Sequence, residues 1–165
     1  MPSALPHVVA VERLVAADQQ TVFDLLADPA QHPLLDGSGS VVSAKPDNPT
    51  RLSRGARFAM TMRIGVAYRI TNTVVEFDEP RRIAWRHFAG HRWRYVLTAV
   101  GDQTLVREEW DPTRVPHLWP WFALSRFPAR NRTGMAASLE RLADLVAPDL
   151  SAGPPPSPAP ARDSG

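Results

Sequence analysis

The sequence predicts an α+β domain in which a curved, seven-stranded antiparallel sheet wraps around one long C-terminal helix, with two short helices after the first strand. Three observations carry this expectation. Residues 81–111 alternate large and charged side chains with a period of two through three runs, broken at Ala89-Gly90 and Gly101-Asp102, as an antiparallel meander requires. Residues 129–146 place Met135, Leu139, Leu142, Leu145 and Val146 on one helical face, opposite Arg132, Glu140, Arg141 and Asp144. Each element has one apolar face that must leave water, and curving the sheet around the helix buries both.

In order, residues 8–15, VVAVERLV, form the first strand. Asp18 is the N-cap of an amphipathic helix carried by Thr21, Val22, Leu25 and Leu26, and Asp28-Pro29 opens a second short helix, PAQHPLLDG, which Gly37 stops. Residues 39–45 form a strand and PDNPTRLSRG a loop. Phe58, Met60, Met62 and Ile64 share one face of the third strand. After Gly65, a turn or a bulge, Tyr68, Ile70, Asn72 and Val74 share one face of the fourth. In the meander Ile83, Trp85 and His87, then Trp93, Tyr95 and Leu97, then Val106, Glu108 and Trp110 make a face that is large, aromatic and nearly uncharged. Arg82, Arg86, Phe88, Arg92, Arg94, Arg107 and Glu109 make the other, solvated face. Residues 114–131, RVPHLWPWFALSRFPARN, set prolines among aromatic side chains and read as an irregular or briefly helical apolar cover. Residues 1–147 are thus the expected domain. Residues 148–165, without an aromatic side chain and with too little apolar surface to offset chain entropy, are an expected disordered tail.

Composition narrows the function. The absence of cysteine excludes a disulfide framework, a thiolate metal site and a cysteine nucleophile. The start lacks the features of a signal peptide and no stretch is apolar for long enough to span a bilayer, so a cytoplasmic protein is expected. Net charge is only +2, and the arginines alternate along strands or sit among acids. They read as a solvated sheet face, not a phosphate-binding stripe, and nucleic acid is not an expected partner. His7, His32, His91 and His117 are scattered with no acid at ligand spacing, so no metal is expected. Without a phosphate-cradling glycine loop, a Gly-x-Ser-x-Gly elbow or a dinucleotide fingerprint, no cofactor is expected either.

Four segments carry a family resemblance: VERLVAADQQTVFDLLADPAQHPLL, TNTVVEFDEPRRIAWR, HRWRYVLTAVGDQTLVREEWD and RNRTGMAASLERLADLV. In this order they resemble the START-related, polyketide cyclase and aromatic-carrier (SRPBCC) superfamily of helix-grip fold, in its bacterial polyketide cyclase/dehydrase-like branch. The superfamily includes lipid and hydrophobic-ligand carriers, polyketide aromatases and cyclases, and co-chaperone domains, without a shared catalytic signature. The resemblance implies a deep cavity between sheet and long helix, opening near the short helices. Strand parity supplies its expected lining: Met60, Met62, Tyr68, Ile70, Asn72, Trp85, His87, Trp93, Tyr95, Glu108 and Trp110, with Met135 and Leu139 from the helix. The segment around Trp119, Trp121 and Phe122 is placed to close one end.

Each polar residue on that face has a functional reading and at least one structural reading. His87 either exchanges a proton with a ligand or sits exposed, or bonded to backbone, beside its turn. Glu108 either holds its proton as a general acid, or pairs with Arg94 or Arg86, or lies outside on a reversed parity. Tyr95, Tyr68 and Asn72 either hold a ligand oxygen or complete the core. The expected function is binding of a hydrophobic, aromatic, polycyclic or lipid-like small molecule by a monomer or homodimer. The alternatives are a cofactor-independent cyclase or dehydratase with His87, Tyr95 and Glu108 as catalytic residues, and a protein-interaction module using RVPHLWPWF.

Overall fold

The computed structural model describes residues 6–147. The expected tail, 148–165, lies outside the described residues. Strands β1 (Val9–Val15), β2 (Val41–Ala44), β3 (Arg57–Ile64), β4 (Val66–Asp78), β5 (Arg82–Arg86), β6 (Arg92–Val100) and β7 (Gln103–Asp111) form one antiparallel sheet in the order β1-β7-β6-β5-β4-β3-β2. Helices α1 (Gln19–Ala27) and α2 (His32–Leu35), joined by a 3₁₀ turn at Pro29–Gln31, follow β1. Helix α3 (Trp119–Leu124), preceded by a 3₁₀ turn at Pro116–Leu118, leads into the long α4 (Phe127–Val146). This is the helix-grip fold.

Local chemistry sets the boundaries. Asp18 caps α1, its carboxylate accepting from the Thr21 amide at 3.0 Å and the Thr21 hydroxyl at 2.8 Å, and Asp28 caps the 3₁₀ turn through the Ala30 amide at 2.9 Å. Helix α4 begins two residues earlier than expected. Pro128, like Pro120 in α3, falls in the first turn, where its missing N–H is one the helix cannot use. Gly65 is the turn of the β3–β4 hairpin, and the irregularity in β4 lies later, between Val74 and Glu76, where pairing to β5 shifts. Strand β5 ends at Arg86, one pair beyond the Trp85↔Trp93 pair, so His87 and Phe88 sit outside the ladder.

Parity holds across the meander. Ile83, Tyr95, Leu97, Val106 and Trp110 are buried beneath the helices, and Met135, Leu139 and Leu142 meet them from α4. Leu145, expected on the same helical face, is 47% exposed, because α4 there runs past the edge of the packed core. On the opposite face the arginines are not freely solvated. Glu76 accepts from Arg92 and Arg94 at 2.9 and 2.7 Å, Glu109 from Arg94 and Arg107 at 2.7 Å each, and Glu12 from Arg107 at 2.8 Å. The network ties β1, β7, β6 and β4 together across their outer faces, and hydrogen bonds from Arg94 hold Glu76 below the usual carboxylate range.

One glycine fixes how the α2–β2 connection meets α4. A Cβ built on Gly37 would lie 2.2 Å from the Ser138 backbone nitrogen, while its own amide donates to the Ser138 hydroxyl at 2.9 Å. Gly37→Ala is therefore expected to cost about 2 kcal/mol by overpacking against rigid helix backbone. A drop in the urea midpoint at unchanged slope reads this out, and a midpoint equal to wild type contradicts the close approach.

Candidate functional site

Between the sheet and α4 lies a cavity of about 990 Å³. Helix α4 runs along β1 and β7, α1 covers the Leu97 end of β5 to β7, and α2 packs on β2 and α4. The remaining concave face, over β3 to β6, is left open beneath them. Of the expected lining, Met60, Met62, Tyr68, Ile70, Asn72, Trp85, His87, Trp93, Tyr95, Glu108 and Met135 border the cavity. Trp110 and Leu139 do not. Trp110 is sealed in a second core with Val9, Phe122 and Phe127, and Leu139 packs in the main core under α1. Tyr68 is at the rim, half exposed near the end of the β3–β4 hairpin.

Tyr95 and Glu108 face each other across β6 and β7, which brings the phenol close enough to the Glu108 carboxyl to act on its ionisation. Glu108 is 4% exposed, and its Oε2 is buried with no partner among the described residues. Arg94, a candidate ion-pair partner, lies on the other face with Glu76 and Glu109, and Arg86 is also outside. A carboxylate beside one neutral phenol and no cation is poorly compensated. Burial pushes Glu108 up to about 8, with the charge of Asp36 adding to it against the opposing effect of Tyr95. Glu108 is thus a protonated acid at neutral pH. Tyr95 is raised as well, by burial and then by Glu108, and stays a phenol.

The histidines form a second polar station. Two of them were not singled out by the sequence. The ring of His91, 4% exposed, packs edge-on to His87 with centroids 4.3 Å apart, and its Nδ1 accepts from the Trp110 indole N–H at 3.0 Å. His87 Nδ1 accepts from the Ala89 amide at 3.1 Å. Both donors can only donate, so both neutral rings carry their proton on Nε2. Burial lowers both, His91 to about 3 with help from His87, so they are neutral imidazoles. His87 is the fourth residue beyond Ile83, the partner of Tyr95, which separates it from Tyr95 and Glu108 by roughly 13 Å along the strands. The three residues expected to act together therefore divide into a pair and a distant single. Asn72, buried and bordering the cavity, stands beside His87, each one step beyond the Thr73↔Arg86 pair. His32, from α2, stacks on Trp85 at 4.8 Å and approaches the Leu26 carbonyl through Nε2 at 2.9 Å. It caps the aromatic wall of the cavity.

The aromatic segment is packed into the domain in part, with Trp121 and Leu124 left exposed. Trp119 and Phe122 are buried, and Leu118, Trp121, Phe122 and Phe127 close one end of the cavity. Among the described residues no three His, Asp or Glu side chains gather as a metal ligand set, and no helix is long and apolar enough to cross a membrane.

Glu108 links the site to stability. Its folded value lies above that of the unfolded chain, near 4.5, so the folded state binds the extra proton between about pH 4.5 and 8. The stability it contributes is full below pH 4.5 and is lost as pH rises towards 8, on the order of 4 kcal/mol for a shift of this size. The buried histidines act in the opposite sense, losing stability as pH falls below about 6.5. Comparison of wild type with Glu108→Gln isolates the carboxyl. Urea unfolding at pH 5, 7 and 9 should find the variant gaining on wild type at each step, and parallel profiles contradict a neutral Glu108.

Residues 6–147 match the family model described as polyketide cyclase / dehydrase and lipid transport. The uncharacterized protein Rv0088 of Mycobacterium tuberculosis is 32% identical over 138 residues, 81% of this chain and 61% of that protein, so the chain spans under two thirds of that relative's length. Among solved structures, the KanY protein aligns with a TM-score of 0.68 at 13% identity over 86% of this chain and 97% of its own. An AHSA1-like protein from Aeromonas hydrophila aligns at 0.63 and 18% identity over 85% and 92%. At those identities the solved structures speak to the fold alone. The family model, covering all of the described domain, places the chain in the polyketide cyclase / dehydrase and lipid transport family of the START-like superfamily.

Proposed function

We propose that this domain binds a largely apolar small molecule, aromatic, polycyclic or lipid-like, that carries an uncharged carbonyl or hydroxyl oxygen. The observation that carries the reading is the Tyr95–Glu108 pair. A buried acid kept neutral beside a phenol, in a cavity of about 990 Å³ walled by Trp85, Trp93, Phe58 and Met60, is a hydrogen-bonding station for a neutral oxygen. Asn72 and the Nε2–H groups of His87 and His91 supply a second such station towards the other end. Neither station offers a fixed charge, so each selects a neutral polar group; the charged residues Asp36, Arg63 and Arg130 border the cavity as well.

The same pair supports a second reading as a cyclase or dehydratase. An acid that keeps its proton to about pH 8 can donate it to an oxygen developing negative charge as a carbon–carbon bond forms or water leaves, and Tyr95 would hold that oxygen. His87, roughly 13 Å away along the strands, would orient a far end of the substrate and exchange no proton at the same point. The interaction-module reading has less support, since Val115, Trp119 and Phe122 of the segment on which it relies are buried in the domain and leave Trp121 as its large exposed apolar side chain.

Fluorenone and fluorene share one tricyclic body and differ by a carbonyl. Quenching of Trp85 and Trp93 is expected to show wild type binding fluorenone about tenfold tighter than fluorene, the worth of one well-placed hydrogen bond. Glu108→Leu together with Tyr95→Phe should remove the difference while leaving fluorene bound. Equal affinities in wild type contradict a carbonyl station, and proton-donating turnover of a keto substrate that disappears in Glu108→Gln favours the enzyme reading.

A further inference from the structure

The sheet is split beside the cavity, and the split is lined with cations. Strand β4 pairs with β3 from Val66 to Thr73 but with β5 only from Thr73 to Asp78, so its first half has no partner on the β5 side. Next to this opening, on the outer face, a pocket of about 350 Å³ is bordered by Arg57, Arg69, Arg86, Thr71 and Thr73. Ile70, His87 and Phe88 border both this pocket and the main cavity, so the two meet through the split. Phe88, 85% exposed, stands at the junction.

The three arginines differ from those of the network on β6 and β7. Arg92, Arg94 and Arg107 are paired with Glu76, Glu109 and Glu12, whereas Arg57, Arg69 and Arg86 have no acidic partner among the described residues. The sequence from Arg57 to Val75 contains no Asp or Glu at all. Arg57 and Arg86 flank Thr73 on neighbouring strands, about 10 Å apart, which leaves like charges facing each other at the cost of their repulsion. The inner station has the opposite bias. Beside Tyr95 and Glu108 the carboxyl keeps its proton and Asp36 lies near, so an anion is disfavoured at that station; Arg63 and Arg130 also border the cavity, but among the described residues only the pocket at the split gathers three unpaired arginines.

Resting on the reading that the cavity binds an apolar body, we propose that the ligand is an anionic amphiphile. Its body enters the cavity through the split between β4 and the β5–β6 turn, and its carboxylate, sulfonate or phosphate group stays on the outer face, held by Arg57, Arg69 and Arg86 with the Thr71 and Thr73 hydroxyls. Guanidinium groups match such oxyanions with paired donors, and at this distance from Glu108 the neutral end of the ligand is left to the interior station.

Two fluorescent probes share one body and differ in the head group: 1-anilinonaphthalene-8-sulfonate and uncharged N-phenyl-1-naphthylamine. Fluorescence titration of wild type should find both bound, with inorganic phosphate weakening the sulfonate and not the neutral probe. Arg69→Ala with Arg86→Ala should weaken the sulfonate about tenfold and leave the neutral probe unchanged. Arg114→Ala with Arg132→Ala, which removes the same charge away from both pockets, should change neither. The proposal is overturned if the arginine pair leaves sulfonate affinity intact, if both probes weaken equally, or if phosphate raises the melting temperature while the sulfonate ignores the arginines. Absence of binding by either probe overturns the cavity reading, and this proposal with it.

Discussion

A single helix is too narrow for the sheet it grips. Seven strands spaced by about 4.8 Å make a surface roughly 29 Å across, while an α-helix with its side chains is about 10 Å wide. Helix α4 therefore covers β1 and β7, α1 covers the Leu97 end, and the concave face over β3 to β6 remains to be filled by side chains or by something else. The cavity follows from this mismatch. The aromatic segment and α2 close its ends but do not fill it, and a void of this size lined by tryptophan, phenylalanine and methionine is a site where an apolar body gains both burial and dispersion contacts.

Electrostatics then sorts the two faces of the sheet. Outside, Glu76 and Glu109 collect the arginines of β5, β6 and β7 into a partly buried network that fixes strand order and keeps those carboxylates ionised. Inside, no cation reaches Glu108, so the only economical state for that carboxyl is the protonated one. His87 and His91 are driven neutral by the same desolvation. Around Glu108, His87 and His91 the inner face is thus polar in its hydrogen-bonding groups and uncharged, which orients a ligand there without demanding a counter-ion, while Asp36, Arg63 and Arg130 also border the cavity.

Much of this was legible in the residue pattern, because a period of two is rigid. Once Trp93 and Tyr95 face inwards, Glu108 follows from register, and so does the separation of Arg94 from it. The same parity runs through His91, which shares its face with Trp93. The signal was present, but a residue beside Gly90 reads as turn, and turns carry no parity. His32 offered no signal at all, since it reaches the cavity only because α2 folds back over Trp85. Trp110 and Leu139 had the right face and the wrong depth, because periodicity reports direction and not what lies above a side chain. The unpaired arginines beside the split were hidden for a similar reason: alternation places them outside, while the distribution of acids among strands decides which of them find partners.

The protonation state of Glu108 is the most direct test, since the neutral Tyr95–Glu108 pair, the carbonyl station and the outward place of an anionic group all depend on it. Carbon-13 NMR of the side-chain carboxyl, titrated from pH 4 to 10 on selectively labelled protein with Glu108→Gln to assign the signal, measures it alone. The account predicts a single inflection near 8, displaced well above the other glutamates. An inflection in the ordinary carboxylate range, near 4.5, would mean that Glu108 is ionised at neutral pH and would contradict the neutral pair.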